Sequence, residues 1–309
     1  MSIPFLSLAL DGPQLVELLA DDAAIRRWDE LPSAFSVLGV ERVDGSGARE
    51  ATVDASVAAA ILAGRTTRAR FLVAASPTRD HPYNLARRVA SLGHLSRGRS
   101  GVIFGDHDPY APAGDPWTTT DVGFTRGEQI ADALRAVRAL EQSWPYESVV
   151  GDLDTGIFVQ SNLIRHVDHD GLHRTAGPLT VPEPPAGASV TAWLATDRVP
   201  AIPGDETDLV IGAGGAVRIV DADAAEAWSG EASDGGGLLL LRGASRLHAR
   251  GTARRGRVAG RPDAPGGRRA VAAGPGPVRP VPSRRRPGRL SPAPTPCGPL
   301  TAIDPGPSR

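Results

Sequence analysis

The sequence predicts an α/β protein of the (β/α)8 TIM-barrel class, incomplete towards its C-terminus and followed by a disordered tail. Three observations carry this. Over residues 1–241, short apolar β-prone runs alternate with helical patterns, the mark of βαβ units around a parallel sheet. No G-x-G-x-x-G follows the first strand, where an open dinucleotide-binding sheet would want it, so the barrel is preferred to the doubly wound alternative. Composition then changes abruptly near Leu241, while a barrel would still need its last strands and helices.

The elements follow in order. Ile3–Leu10 reads as a first strand and is followed by a helix after Pro13 with Leu15, Leu18 and Leu19 on its apolar side. Ala34–Val40 is the second strand. Asp54 is placed to cap a helix running through Ala58 to Leu62, because its carboxylate can accept from the first free helical N–H groups. Arg68–Ala75 is the third strand. Pro82 suits a first helical turn, and Leu85, Val89, Leu92 and Leu95 form one stripe expected to be buried. Arg97-Gly98-Arg99 ends that helix, with Gly98 free to take a left-handed cap, and Gly101–Gly105 is a short fourth strand. In the helix Glu128–Trp144, Ile130, Leu134, Val137, Leu140 and Trp144 form the apolar face, and Asp132, Arg135 and Arg138 are expected outside. Val149–Leu179 is a turn-rich excursion. Val190–Ala195 and Asp208–Gly212 are two further strands, and Val217–Val220 is another β-prone run.

Bulk properties narrow the function classes. Of the 309 residues 41% are apolar, enough for a sizeable core, which excludes wholesale disorder. No apolar run reaches the roughly 18–20 residues of a membrane span, and the apolar start has no basic leader. The single cysteine, Cys297, cannot form an internal disulfide, so a cytoplasmic setting is expected. All 34 basic residues are arginine, and their distribution is uneven: residues 1–241 carry a net −14, residues 242–309 a net +13. This divides the chain into a barrel domain, 1–241, and an Arg/Pro/Gly-rich tail, 242–309. The tail holds no Phe, Tyr or Trp, so base stacking cannot support nucleic-acid binding and that reading ranks low. A shifted reading frame in a GC-rich gene accounts best for its composition, ahead of a flexible tail without function.

Several words in the sequence resemble one family. His81-Pro82-Tyr83-Asn84-Leu85-Ala86-Arg87-Arg88, with Ala90-Ser91-Leu92-Gly93-His94-Leu95-Ser96-Arg97-Gly98-Arg99, is similar to a segment of the bacterial-luciferase-like flavin monooxygenases, in their nitrilotriacetate and dibenzothiophene-sulfone branch. Arg138–Trp144 resembles the family's "alL.SW" helix end. His169-Asp170-Gly171 with Gly177-Pro178-Leu179-Thr180-Val181-Pro182-Glu183-Pro184-Pro185-Ala186-Gly187 resembles its "H.G..f...GPL.vp.pPqG" stretch. The resemblance spans roughly residues 3–215. It implies a barrel that binds reduced FMN at the C-terminal ends of its strands, with the flavin supplied by a separate NAD(P)H:flavin reductase. Oxygen and a small organic substrate complete the expected reaction; a homo-oligomer is left open.

The family's pattern also points to flavin contacts. Glu41 replaces the acid of "fLAD" after the second strand, Ser76 supplies the small hydroxyl after the third, and Thr196 stands in the "QAGsS" strand end. Elsewhere the pattern is lost: "NvVTS" becomes Ile103-Phe104-Gly105-Asp106-His107, the His and Tyr of "H..RY" fall on Gly123 and Gly127 with Arg126 kept, and Asp197 would repel a phosphate. No residue takes a firm catalytic role. The alternative function is a degenerate, non-catalytic homologue that keeps the barrel and binds flavin weakly or not at all.

Other features have plainer readings. His81 suits a cap before Pro82, and His94 a packing role. His166, His169 and His173, interleaved with Asp168 and Asp170, fit a turn better than a metal centre. Asp106-His107-Asp108 and Gly212–Gly215 are well placed at strand ends, and both read first as loops.

Overall fold

A computed structural model of the chain describes residues 6–45, 52–106, 123–201, 207–221 and 238–242. Strands β1 (Leu6–Leu10), β2 (Ser33–Leu38), β3 (Phe71–Ala75) and β4 (Ser100–Phe104) come first. Between them lie helices α1 (Gly12–Ala20), α2 (Asp22–Glu30), α3 (Glu41–Asp44), α4 (Ala55–Arg65) and α5 (Pro82–Ser96). Helix α6 (Arg126–Glu141) follows β4. A small antiparallel hairpin, β5 (Asp168–His169) with β6 (Thr175–Ala176), precedes β7 (Val190–Ala195), β8 (Leu209–Gly212), β9 (Val217–Asp221) and β10 (Leu238–Arg242).

Eight parallel strands close into a barrel in the order β1-β10-β9-β8-β7-β4-β3-β2. The strand ring is therefore closed, and among the described residues it is the outer helical layer that is thinner. Helices follow β1 to β4. By contrast, thirteen residues separate β7 from β8 and four separate β8 from β9, with no helix among those described. So short a link between parallel neighbours works because β8 and β9 share one registered pair, Ile211↔Val217: β9 begins beside the end of β8. Gly212, at φ +99, makes that exit, and a β-carbon there would collide with the Ala195 carbonyl oxygen. The closing strand, β10, spans the composition change near Leu241 and is not foreseen in the sequence.

Alternation along each strand sorts the core into an inside and an outside. Ala9, Val37, Leu72, Ala74, Ile103, Ala192, Leu194, Ile211 and Val217 fill the barrel interior. Leu8, Leu38, Phe71 and Val73 face α1, α2 and α4, whereas Ala75, Val102, Phe104 and Trp193 face α5 and α6. The cap expected at Asp54 holds at atomic detail, since it accepts from Ser56 and Val57 N–H groups. Thr125 with Glu128 forms a reciprocal capping box on α6, so that helix begins before the expected Glu128.

Three expectations need correction. Leu95 is 58% exposed: at about 100° per residue it lies some 80° off the Leu85 direction, while Ser96 returns to that direction and is buried against Ser100 Oγ at 2.9 Å. Asp132 is buried, not outside, because the excursion after α6 folds back over that helix's second face. At the end of α5, Arg97 itself takes the left-handed cap at φ 57, with Gly98 following at φ 77. Helix α2 is passed over in the sequence analysis although Asp21 caps it and Ile25 and Trp28 bury one face.

The three family-like blocks pack on one another. The Gly93 and Gly98 α-carbons leave room for Pro184 and Ala186, and His94 Nε2 lies 2.9 Å from the Pro182 carbonyl oxygen. Leu179 N–H donates to Ser143 Oγ at 2.8 Å, and Glu183 N–H to the Trp144 carbonyl at 2.8 Å. Their similarity is thus one of scaffold, and His94 serves packing.

Candidate active site

In a parallel barrel the loops leaving the C-terminal strand ends share one rim, and that rim gathers the polar side chains here. Glu41 follows β2 and is 1% exposed. Its Oε1 accepts from Gly12 N–H at 2.9 Å, which ties the β1 and β2 exits together, while Oε2 is buried with no partner among the described residues. A side chain at position 12 would run into Glu41 and Thr52. Burial pushes the Glu41 carboxyl above its ordinary range, against its backbone hydrogen bonds, and nearby Asp11 adds to the rise. The acid is therefore biased towards its neutral form, which can donate as well as accept.

Ser76 leaves β3 and is likewise buried. Its N–H donates to Asp80 Oδ2 at 3.0 Å, and its hydroxyl shares a hydrogen with Thr78 Oγ1 at 2.9 Å. Asp80 in turn pairs with Arg88 at 2.5 Å, so the β3 exit is anchored to the first half of α5. Thr196 leaves β7 half-buried; its Oγ1 accepts from Val199 N–H at 3.1 Å, and Asp197 beside it is exposed. The three residues proposed from the sequence thus lie on one rim, at strands β2, β3 and β7.

Beneath them the barrel mouth is filled. Val40 and Val43, from the turn carrying Glu41, are buried in the same cluster as the interior strand residues. Val43 reaches in over the β4 exit because Gly105 has no side chain: a β-carbon there would sit 2.5 Å from Val43 Cβ. Beside it Arg126 Nη1 donates to the Asp106 carbonyl at 3.0 Å and lies 3.5 Å from its carboxylate. His107 and Asp108 lie outside the described residues. Gln129, on the first turn of α6, is a buried residue the sequence analysis missed. Its Nε2 donates to the Phe124 carbonyl, and its Oε1 has no partner among the described residues. Only its place one turn into a helix opening onto the rim could have flagged it.

The remaining candidates have structural partners. His81 Nδ1 accepts from Tyr83 N–H at 3.3 Å, the capping role expected of it. His169 Nε2 lies 2.9 Å from Asp132 Oδ1, and His173 Nε2 lies 3.2 Å from the Pro77 carbonyl, so the two rings are spent on different anchors. Gly212–Gly215 forms the tight link from β8 to β9, closed by Gly215 N–H to the Gly212 carbonyl.

The family model for luciferase-like monooxygenases matches residues 36–257, well over half of the chain. The chain belongs to the luciferase-like monooxygenase family. Relatives of this luciferase-like protein include one of the subunits of pristinamycin IIA synthase from Streptomyces pristinaespiralis, 31% identical over 134 residues covering 43% of each chain. Another is the N-acetyl-S-(2-succino)cysteine monooxygenase of Bacillus subtilis, 29% identical over 42% of this chain and 30% of the relative. The luciferase-like match spans less than half the length of these relatives. Among solved structures, a riboflavin lyase with modified FMN and riboflavin superposes at a TM-score of 0.52, with 21% identity, over 64% of this chain and 51% of that one. That likeness concerns the fold alone, and it agrees with the luciferase-like barrel. No described helix is long and apolar enough to cross a membrane.

Proposed function

We propose that the chain is the oxygenase component of a flavin-dependent monooxygenase. Reduced FMN, delivered by a separate NAD(P)H:flavin reductase in the cytoplasm, binds at the C-terminal rim and, with O2, oxidises a small organic substrate. The observation that carries the reading is family membership in a closed parallel barrel whose rim gathers Glu41, Ser76 and Thr196. The relatives are named as catalysts, which favours this reading over a non-catalytic homologue. The Streptomyces relative is one part of a multi-component synthase, which supports a second component here.

The residues present fit such a cofactor on one physical ground. Glu41 Oε2 is a buried polar atom at the strand ends with no partner among the described residues, and an isoalloxazine edge offers complementary amide and carbonyl groups. Bound there, the reduced flavin supplies the electrons for oxygen chemistry. The chain's own share is positioning. Glu41, whose carboxyl burial pushes above its ordinary range, would exchange hydrogen bonds with the ring edge. The Ser76–Thr78 hydroxyl pair and the Thr196 hydroxyl orient the rest, and Val40 with Val43 closes the floor against water from the barrel.

Anaerobic titration with reduced FMN tests this. Saturable binding, read as retention of reduced flavin with the protein in anaerobic ultrafiltration, is the expected result; a folded protein that leaves reduced FMN free at high micromolar concentration refutes it.

A further inference from the structure

We propose that the β5–β6 hairpin is a proton-sensitive clamp on the turn that follows β3, operated by the imidazoles of His81 and His173. The two rings face each other with centroids 5.1 Å apart and planes inclined by 49°. Their hydrogen bonds fix complementary tautomers. His81 Nδ1 accepts from Tyr83 N–H, so its neutral ring carries the proton on Nε2. His173 Nε2 faces a carbonyl, Pro77 O, so this nitrogen donates and Nδ1 is left bare. Through this bond the hairpin grips the residue next to Ser76. Its other grip is on α6, where Asp132 accepts from Leu172 N–H at 2.8 Å and pairs with His169. An open cavity of about 300 Å³ lies between the hairpin and the start of α5, lined by His81, Tyr83, Asn84, Arg174, Thr175 and Ala176.

A proton on His81 acts twice against the closed form. It occupies Nδ1, which then no longer caps α5, and it places a cation at the positive end of a 15-residue helix. Burial first, and His173 second, hold the His81 imidazole below its ordinary value. The carboxylates of the surrounding elements are already engaged: Asp80 of the β3 exit with Arg88, Asp170 of the hairpin with Arg174, and Asp132 of α6 with His169 and Arg135. Arg79 in the same turn adds positive charge, and Tyr83 on α5 brings a phenol to the cavity wall. The clamp is therefore closed above about pH 6.5 and weakens as pH falls below it. The clamp stands without the flavin reading.

Hydrogen–deuterium exchange of the full chain at about pH 8 and about pH 5.5, corrected for intrinsic exchange, tests it. Segments 168–176 and 76–85 should lose protection roughly fivefold at the acid pH. His81→Asn, whose amide caps a helix and does not titrate, should keep its protection at both. Equal protection of the wild type at the two pH values, or the same acid loss in His81→Asn, overturns the clamp. Should that variant not fold, NMR titration of the wild-type imidazoles decides: His81 titrating at or above the ordinary 6.5 overturns it equally.

Discussion

Glu141→Gln should stabilise this protein above neutrality and leave it unchanged in acid. Glu141 closes α6 on the side of the barrel away from the rim and is 1% exposed. Burial lifts its carboxyl from 4.5 to about 7; hydrogen bonds from Ser189, one at 2.6 Å, oppose the rise, and Glu183 adds to it. A folded-state value above the unfolded one means that the folded protein holds the proton longer. The contribution is present in full below about pH 4.5, falls as pH rises, and is lost above about 7. That interval corresponds to a penalty on the order of 3 kcal/mol for the ionised form. Glutamine keeps the acceptor for Ser189 and cannot ionise. Thermal unfolding followed by circular dichroism at about pH 4.5 and about pH 8 gives the two differences, in which other titrations cancel. The melting temperature should rise by roughly 6–12 °C at pH 8 and by almost nothing at pH 4.5. An equal shift at both values, or a loss at pH 8, refutes the reasoning.

Other consequences follow from buried polar anchors and close approaches. Asp132→Ala leaves Leu172 N–H and His169 without their acceptor and should cost about 2–4 kcal/mol, with hairpin 168–176 losing exchange protection first. Arg99→Met removes a guanidinium that binds the Ala63, Thr66 and Ala69 carbonyls and Thr66 Oγ1. A drop of about 2–4 kcal/mol in denaturant unfolding is expected, with α4 affected first. Gly105→Ala forces Val43 out of the barrel mouth; it should cost about 1–3 kcal/mol and raise exchange at residues 40–45, whereas unchanged stability would contradict the packing described.

Most of the barrel is legible in the sequence because its strands are short apolar runs and its helices carry local start signals. Asp54 and Pro82 each act within one turn, and such signals survive without tertiary information. What escaped needed the fold. Asp132 sits on the polar side of α6 in any helical projection, and only the returning excursion makes that side an interior. Glu141, Gln129 and the closing strand β10 escaped for the same reason: their surroundings come from segments distant in sequence. At the rim, strand order fixes that Glu41, Ser76 and Thr196 lie at strand ends. It does not reveal that Val43 would fill the mouth over Gly105, or that Glu41 would be buried against Gly12.

Where a flavin sits on this barrel is read directly by a crystal structure of the protein soaked with FMN. The expected map shows the isoalloxazine at the C-terminal strand ends, with a ring edge on Glu41 Oε2 and the hydroxyls of Ser76 and Thr196 around it. Density for FMN at the opposite end of the barrel, or on an outer helix face with Glu41 untouched, would contradict it.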